Sequence, residues 1–234
     1  MGHKVNPTSF RIGILFDWQS KWFNQRTYRQ QIKEDTEVRD WLAKKLRTAF
    51  VSRIMIERSA RGLTVTLFTS RPGVIIGRGG AGAEELRREI AKRVKGKPQV
   101  KLNIEEIRDP ERDANLIALN MAEQIEKRLP FRRVLKGAIE RARSAGVQGI
   151  RVGVSGRLNG AEMSRTEWLA DGNLPLHTLR AEIDYARATA YTTYGTIGVK
   201  VWVYKGQRFG REIEPTAPVV SGQRQLTAPS RGRN

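Results

Sequence analysis

Residues 71–80 read Arg71-Pro-Gly-Val-Ile-Ile-Gly-Arg-Gly-Gly80. A short apolar run, Val74, Ile75 and Ile76, leads into Gly77, Arg78, Gly79 and Gly80. A helix-like stretch follows, with Ala83, Leu86, Ile90 and Val94 on one face and Arg87, Arg88, Lys92 and Arg93 on the others. A Gly-x-x-Gly loop holding a basic residue lets backbone N–H groups come close to a sugar-phosphate chain, because glycine has no Cβ to hold that chain away. Upstream, Val38, Leu42 and Leu46 recur at helical spacing. Ile54 and Ile56 then alternate with Met55 and Glu57, Arg61-Gly62 turns the chain, and Leu63, Val65 and Leu67 alternate with Thr64, Thr66 and Phe68. Downstream, Lys97-Pro98 ends the helix, and Val100, Leu102 and Ile104 alternate as a third strand.

The order is therefore helix, strand, strand, short helix, Gly-x-x-Gly, helix, strand. It resembles the type II KH domain, in which the loop between two helices grips the backbone of about four nucleotides. A rival reading takes Gly77, Gly79 and Gly82 as the Gly-x-Gly-x-x-Gly of a dinucleotide fold, which requires a buried strand immediately before the loop. Pro72-Gly73 leaves three residues for such a strand, fewer than the usual five or six. A third reading has the glycines merely turning a corner. Walker-type phosphate binding fails, because no Gly-Lys-Ser/Thr follows the loop.

Charge narrows the partner. The 234 residues carry 43 Lys and Arg against 24 Asp and Glu, a formal net charge of +19. Self-repulsion on that scale favours a polyanionic partner, most often nucleic acid. An anionic membrane surface would call for a basic amphipathic anchor or a lipidation signal, and neither is present. No apolar run approaches the roughly 20 residues of a spanning helix, so the chain reads as soluble and intracellular. There are no cysteines, and His3 and His177 are isolated, so no metal site and no cofactor is expected.

Asp109-Pro110 marks a boundary. Beyond it, Ile117, Met121 and Ile125 form one helical stripe, and a second helix runs from Phe131 to about Ala145. Between Glu126 and Arg143, seven basic residues (Lys127, Arg128, Arg132, Arg133, Lys136, Arg141, Arg143) face two acids, Glu126 and Glu140. Such a run is usually a solvated helix face; with so few acids it also reads as a phosphate-facing surface. From Ile150, Val152 and Val154 onward the period is two. Segments around 163–169 and 178–191 follow, and Gly195-Thr-Ile-Gly198 is read as closing a hairpin onto Val199, Val201 and Val203. The expected fold class is α+β: an N-terminal type II KH domain (αββααβ), then an α/β domain of two helices packed on a mainly antiparallel sheet. The expected divisions are 1–38 for an N-terminal extension and the start of the first helix, 39–107 for the KH domain, 108–206 for the C-terminal domain and 207–234 for a basic, disordered tail.

The opening Met1-Gly-His-Lys-Val-Asn-Pro7, the loop segment 71–80, Phe131-Arg132-Arg133 and the block from Arg165-Thr-Glu-Trp168 through Pro175-Leu-His-Thr-Leu-Arg-Ala-Glu-Ile-Asp-Tyr185 to Trp202 resemble the family of small ribosomal subunit protein three, in its bacterial or plastid form. The resemblance implies a structural constituent of the small-subunit head that binds small-subunit rRNA. Implied neighbours are small-subunit proteins ten and fourteen, with proteins four and five at the mRNA entry. It also implies a cytoplasmic setting, or an organellar ribosome. By motif, Gly77, Arg78, Gly79 and Gly80 correspond to the family's KH loop. Arg132, Arg133 and Lys136 correspond to residues that face incoming mRNA and assist its unwinding. The start motif implies rRNA contacts for Lys4, Asn6 and Pro7, and Arg11 is read with Lys4 and Asn6 as pointing outward. The loop departs from the family in carrying Gly79 where a second basic residue is common, and Gly82 offers no capping oxygen to the helix start. Two other classes share part of this pattern. A phosphate-binding nuclease would use acids such as Glu162, Glu167, Asp171, Glu182 and Asp184, which also read as salt-bridge partners of Arg165, Arg180 and Arg187; a free regulatory KH protein would share the loop without needing the second domain.

Overall fold

The computed structural model describes residues 4–59, 62–95 and 99–209. The elements are α1 (Pro7–Phe10), β1 (Ser20–Lys21), α2 (Tyr28–Lys45), β2 (Val51–Arg58), β3 (Gly62–Thr69), α3 (Pro72–Ile76), α4 (Ala81–Arg93), β4 (Gln99–Glu106), α5 (Ala114–Glu126), α6 (Phe131–Ser144), β5 (Gly149–Gly156), β6 (Arg165–Gly172), β7 (Ala181–Thr192) and β8 (Gly195–Gln207). Of the tail expected at 207–234, Gln207 still belongs to β8, and 210–234 lies outside the described residues, as do His3, Arg61 and Lys97-Pro98.

Helices and strands divide into two sheets, each with its own core. In the first, β2 and β3 form the expected antiparallel hairpin, with Ile54 opposite Leu67 and Ile56 opposite Val65. β4 runs parallel to β3. Parallel pairing requires a crossover, and α3, the glycine loop and α4 supply it. Val38 and Leu42 of α2, with Leu86 and Ile90 of α4, close on Ile54, Ile56, Val65, Leu67 and Val100 to form a dry core. The order helix, strand, strand, short helix, loop, helix, strand is that of a type II KH domain. A strand has two faces, and here the second is not fully solvated: Met55 and Phe68, which strict alternation places outward, are both buried. The Arg53 guanidinium lies 4.1 Å from the Phe68 ring centroid and roofs it.

The N-terminal segment docks in a way that period alone does not reveal. Ser20 and Lys21 add β1 to the sheet, parallel to β2. Two residues cannot hold an edge strand by ladder bonds alone, so side chains secure it. The Ser20 hydroxyl (3.0 Å) and the Trp22 indole N–H (2.8 Å) donate to the buried Asp35 carboxylate. Arg39 donates to the Gln19 carbonyl (2.9 Å) and the Ile54 carbonyl (2.8 Å), while Arg58 pairs with Asp35 and Glu34. The buried acids of α2, Glu34 and Asp35, are thus matched by Arg58 of β2, as burial demands.

The second sheet is antiparallel throughout, in the order β6-β5-β8-β7. α5 lies over β7 and β8, and α6 over β5 and β6. The core joins Ile117, Met121 and Ile125 to Val134, Leu135, Ala138 and Ala142, and to Ile150, Val152, Val154, Val199, Val201 and Val203. One local reading needs correction. Thr192 pairs with Gly195, so Thr193 and Tyr194 form the hairpin turn, and residues 195–198 already belong to β8. Neither turn residue takes a positive φ; Gly195, which opens β8, does (φ 123°).

Asp113 joins the two units. Its Oδ1 caps α5 by accepting from the N–H groups of Asn115 (2.9 Å) and Leu116 (3.1 Å), while Oδ2 accepts from the Ser52 hydroxyl (2.5 Å) at the start of β2. Asn115 Nδ2 donates to the Ser52 carbonyl (2.5 Å), and Arg47 forms an ion pair with Glu126 at the far end of α5.

Candidate nucleic-acid interface

Three glycines shape the loop between α3 and α4. Gly77 (φ 69°), Gly79 (φ 61°) and Gly80 (φ 80°) all take positive φ, which L side chains rarely adopt. Arg78, at the head of this turn, is exposed. No side chain caps α4, and its first residue, Ala81, donates its N–H to the Arg78 carbonyl. Val74, 55 % exposed, and Ile76, 41 % exposed, are apolar side chains presented beside the loop. A helix precedes the loop where a dinucleotide fold needs a strand, which disposes of that rival reading.

Gly82 has a role that the sequence reading missed. A Cβ there would sit 2.7 Å from the Ile75 carbonyl oxygen and 3.1 Å from that of Ile76. The glycine therefore lets α4 cross close over the end of α3. The available signal was its place as the third glycine of Gly-x-Gly-x-x-Gly, a position that permits close packing in another fold. Gly82→Ala should lower stability by about 1–3 kcal/mol through overpacking, outweighing the gain of about 1 kcal/mol in helix propensity. Thermal unfolding checks this; an unchanged or raised midpoint would show that the two helices tolerate separation.

The basic run from Lys127 to Arg143, at the end of α5 and along α6, is less bare than the local sequence suggests. Arg141 meets Glu111 (3.2 Å), Arg143 meets Asp171 (3.1 Å), Lys127 meets Glu123 (2.6 Å) and Arg132 meets Glu167 (3.5 Å). Most of these acids come from other elements. Glu167, on β6, is shared with Arg165 (2.9 Å), and the hydrogen bond from Arg165 foremost, with Arg132 adding to it, holds its carboxyl below the usual carboxylate range. Arg132 and Arg165 both flank the Phe131 ring, at 5.8 and 5.5 Å from its centroid. Arg133 and Lys136 are exposed and have no acidic partner among the described residues. The three expected channel residues thus lie within about one turn of a rigid helix, anchored by Phe131, Val134 and Leu135, with Arg165 adjoining from β6.

The N-terminal residues divide. Lys4 is exposed. Asn6 is occupied as the cap of α1, its Oδ1 accepting from the Thr8 N–H (2.9 Å), and Pro7 is buried at the first helical position. Arg11 corrects the outward reading: its side chain is 0 % exposed. Its guanidinium donates to four carbonyls, those of Ala181 (2.7 Å), Pro7 (2.9 Å), Thr178 (2.9 Å) and Leu176 (3.0 Å). Burial pulls its pKa below the ordinary arginine value, though arginine stays charged in proteins. Arg11 therefore binds the start of the chain to β7 and the loop before it, with its donors turned inward.

Four of the five carboxylates that a nuclease would use are engaged by bases, Glu167 by Arg165, Asp171 by Arg143, Glu182 by Arg208 (2.6 Å) and Asp184 by Lys205 (3.7 Å), while Glu162 is exposed; of the expected partners Arg165 takes that part among the described residues and Arg180 and Arg187 do not. Among the described residues no group of three or more His, Cys, Asp or Glu could hold a metal ion, and no helix is long and apolar enough to cross a membrane.

Comparison with known proteins gives a consistent result. Residues 37–112 match the KH domain family, and residues 121–203 match the family described as Ribosomal protein S3, C-terminal domain. A protein of Polynucleobacter asymbioticus named Small ribosomal subunit protein uS3 is 52 % identical over 95 % of this chain and 81 % of its own length. Its namesakes in Alkalilimnicola ehrlichii, 52 % identical over 93 % of this chain and 96 % of theirs, and Desulforamulus reducens, 50 % identical over 93 % and 98 %, are similar along the same span. With a KH unit, a following antiparallel sheet under two helices, and about half its residues shared with these proteins over nearly its whole length, the chain belongs to the uS3 family of small ribosomal subunit proteins.

Proposed function

We propose that this chain is a structural constituent of the small ribosomal subunit, where it binds rRNA in the head and lines the entry channel for mRNA. The observation that carries the channel reading is the exposed face of α6. Arg133 and Lys136 present charge with no acid to neutralise it among the described residues, and Arg132 and Arg165 share the one carboxylate of Glu167. Cations on a packed helix hold phosphates without reading bases, which suits a surface that must pass every message. There is no need for a nucleotide site: movement of message through the ribosome would supply the work, and the α6 face would disfavour re-pairing of strands already opened.

The KH loop contributes backbone N–H groups and Arg78 to a phosphate chain. Of the N-terminal set, Lys4 would touch rRNA from the surface, with Asn6 capping α1 and Pro7 and Arg11 buried beneath it. Small-subunit proteins ten and fourteen in the head, and four and five at the entry, are the neighbours this reading implies. The division at 39–107 and 108–206 separates the KH and C-terminal functions. Sedimentation tests the whole: the chain should remain with the small subunit in stoichiometric amount through moderate salt. A free regulator or an enzyme would be found chiefly at the top of the gradient. Photo-crosslinkers at positions 78 and 132 should mark rRNA and mRNA respectively; transfer of both to protein alone would remove both assignments.

A further inference from the structure

Both helices of the C-terminal unit cover one face of its sheet, and the other face is divided. At one end Ala181, Ile183 and Tyr204 are buried under Leu174 and Leu176, beside the four carbonyls that hold Arg11. Further along, the pleat brings Trp168 of β6, Arg151 of β5, Trp202 and Lys200 of β8, and Tyr185 and Arg187 of β7 onto one surface. The register sets Arg151 opposite Trp202, Trp202 opposite Tyr185, and Lys200 opposite Arg187. Trp168 pairs with Gly153, where a Cβ would meet the Trp168 Cβ at 3.4 Å, so the indole drapes over a position with no side chain of its own.

The side chains form a graded stack. The Arg151 guanidinium is 4.0 Å from the Trp168 ring centroid and 5.5 Å from that of Trp202, and the Trp202 and Tyr185 rings lie 5.1 Å apart. Trp168 is 57 % exposed, and Arg187 and Lys200 are exposed as well. Arg151, Arg187 and Lys200 have no acidic partner among the described residues, and the Nε of Arg151 is shielded from solvent without a hydrogen-bond acceptor. The positions between them on this face, Gly153, Ser155, Gly198 and Thr189, are small and uncharged.

Flat rings spaced across a sheet, interleaved with uncompensated cations, suit a partner that is both flat-ringed and polyanionic. An acidic protein surface would use the cations and leave the indoles wet; an apolar one would bury the cations unpaired at a steep cost. Unpaired RNA satisfies both, its bases stacking on aromatic faces while its phosphates reach Lys and Arg. We propose that this helix-free face of the C-terminal sheet is a second RNA site, which takes an unpaired rRNA segment with a base on Trp168 and phosphates on Lys200 and Arg187. Arg151 props the Trp168 ring from beneath. The proposal rests on the reading of the chain as an rRNA-binding component, and it adds a place of contact distinct from both the KH loop and α6.

The test uses the full chain, a short fluorescein-labelled oligoadenylate and fluorescence anisotropy across a salt series. Trp168→Ala should weaken binding roughly 5- to 150-fold, the range for loss of one stacked base, and Trp168→Phe should restore most of it. The double variant Arg187→Ala, Lys200→Ala, which leaves the aromatic stack in place, should flatten the log–log salt slope by about 1.4. A blunt hairpin duplex should compete poorly. Trp168→Ala binding within twofold of wild type, a salt slope unmoved by the double variant, or no binding by the wild-type chain would each overturn the site. So would a photo-crosslinker at position 168 that marks only protein in purified small subunits. Failure of the broader reading looks different: the wild-type chain would then be missing from the particle on sedimentation, whereas loss of this site alone leaves it there.

Discussion

Alanine at Arg132, Arg133 and Lys136 together should slow translation through stable mRNA hairpins by roughly fivefold while leaving unstructured messages nearly unchanged. The figure comes from the exposure of these groups. Each solvent-facing cation–phosphate contact is worth about 0.2–1 kcal/mol, so three in concert amount to about 1 kcal/mol, and each 1.4 kcal/mol is a factor of ten in rate. The individual replacements should be unequal. Arg132 already shares Glu167 with Arg165, whereas Arg133 and Lys136 have no acid of their own among the described residues, so the latter two should carry most of the effect. Glu167→Gln removes the competing carboxylate and should leave hairpin passage as fast as wild type or faster. Single-message translation timing, comparing a hairpin-bearing reporter with an unpaired one, distinguishes the cases. Equal slowing on both messages would mean that α6 acts on assembly rather than on the incoming strand. The variant should fold normally, because all three side chains point away from the core that Val134, Leu135 and Ala138 enter.

Loss of the buried guanidinium should have the largest effect on stability. Arg11→Met keeps a long apolar stem but strands four carbonyl groups that now accept from one side chain. Hydrogen bonds to a charged donor contribute about 1.5–3 kcal/mol each. They are not additive, and water can enter a loosened segment, so a loss of about 3–5 kcal/mol is expected. Arg11→Lys should rescue little, since an ammonium is a compact point donor and cannot span acceptors on α1, the 176–178 loop and β7 at once. Urea unfolding of the full chain gives the magnitude, and limited proteolysis should show cleavage within the first twenty or so residues well before the sheets open. A stability within 1 kcal/mol of wild type for Arg11→Met would mean that the N-terminal segment is held by β1 and the Asp35 cluster instead. The two variants separate function from fold: one touches only exposed cations, the other only an enclosed one.

Arg11 and Arg132 also show how far one-dimensional reading reaches. Both are arginines in basic surroundings, and composition treats them alike. The buried stripe of α6, with Val134, Leu135 and Ala138, leaves Arg132 outside. No comparable period surrounds Arg11, which follows a helix of four residues, and its acceptors lie 165 to 170 positions away in the chain, apart from Pro7. The same limit applies to the +19 charge. Acids that neutralise α6 arrive from β6 and from the turn before α5, so a local count of Lys and Arg overstated the exposed charge there. On the helix-free face of the second sheet the error ran the other way, since Arg151, Lys200 and Arg187 are dispersed in sequence and converge through strand register.

The order of elements from α2 to β4, the glycine loop between two helices and the expectation of a polyanionic partner were written in the chain itself. Each depends on near neighbours: apolar periodicity selects helix or strand, positive φ selects glycine, and net charge sums without regard to fold. Which cations remain available for RNA was settled by the tertiary structure, because burial, ion pairing and stacking depend on residues brought together from distant segments. Gly82 belongs to the second category for the same reason, as its missing Cβ matters only once the end of α3 lies across it.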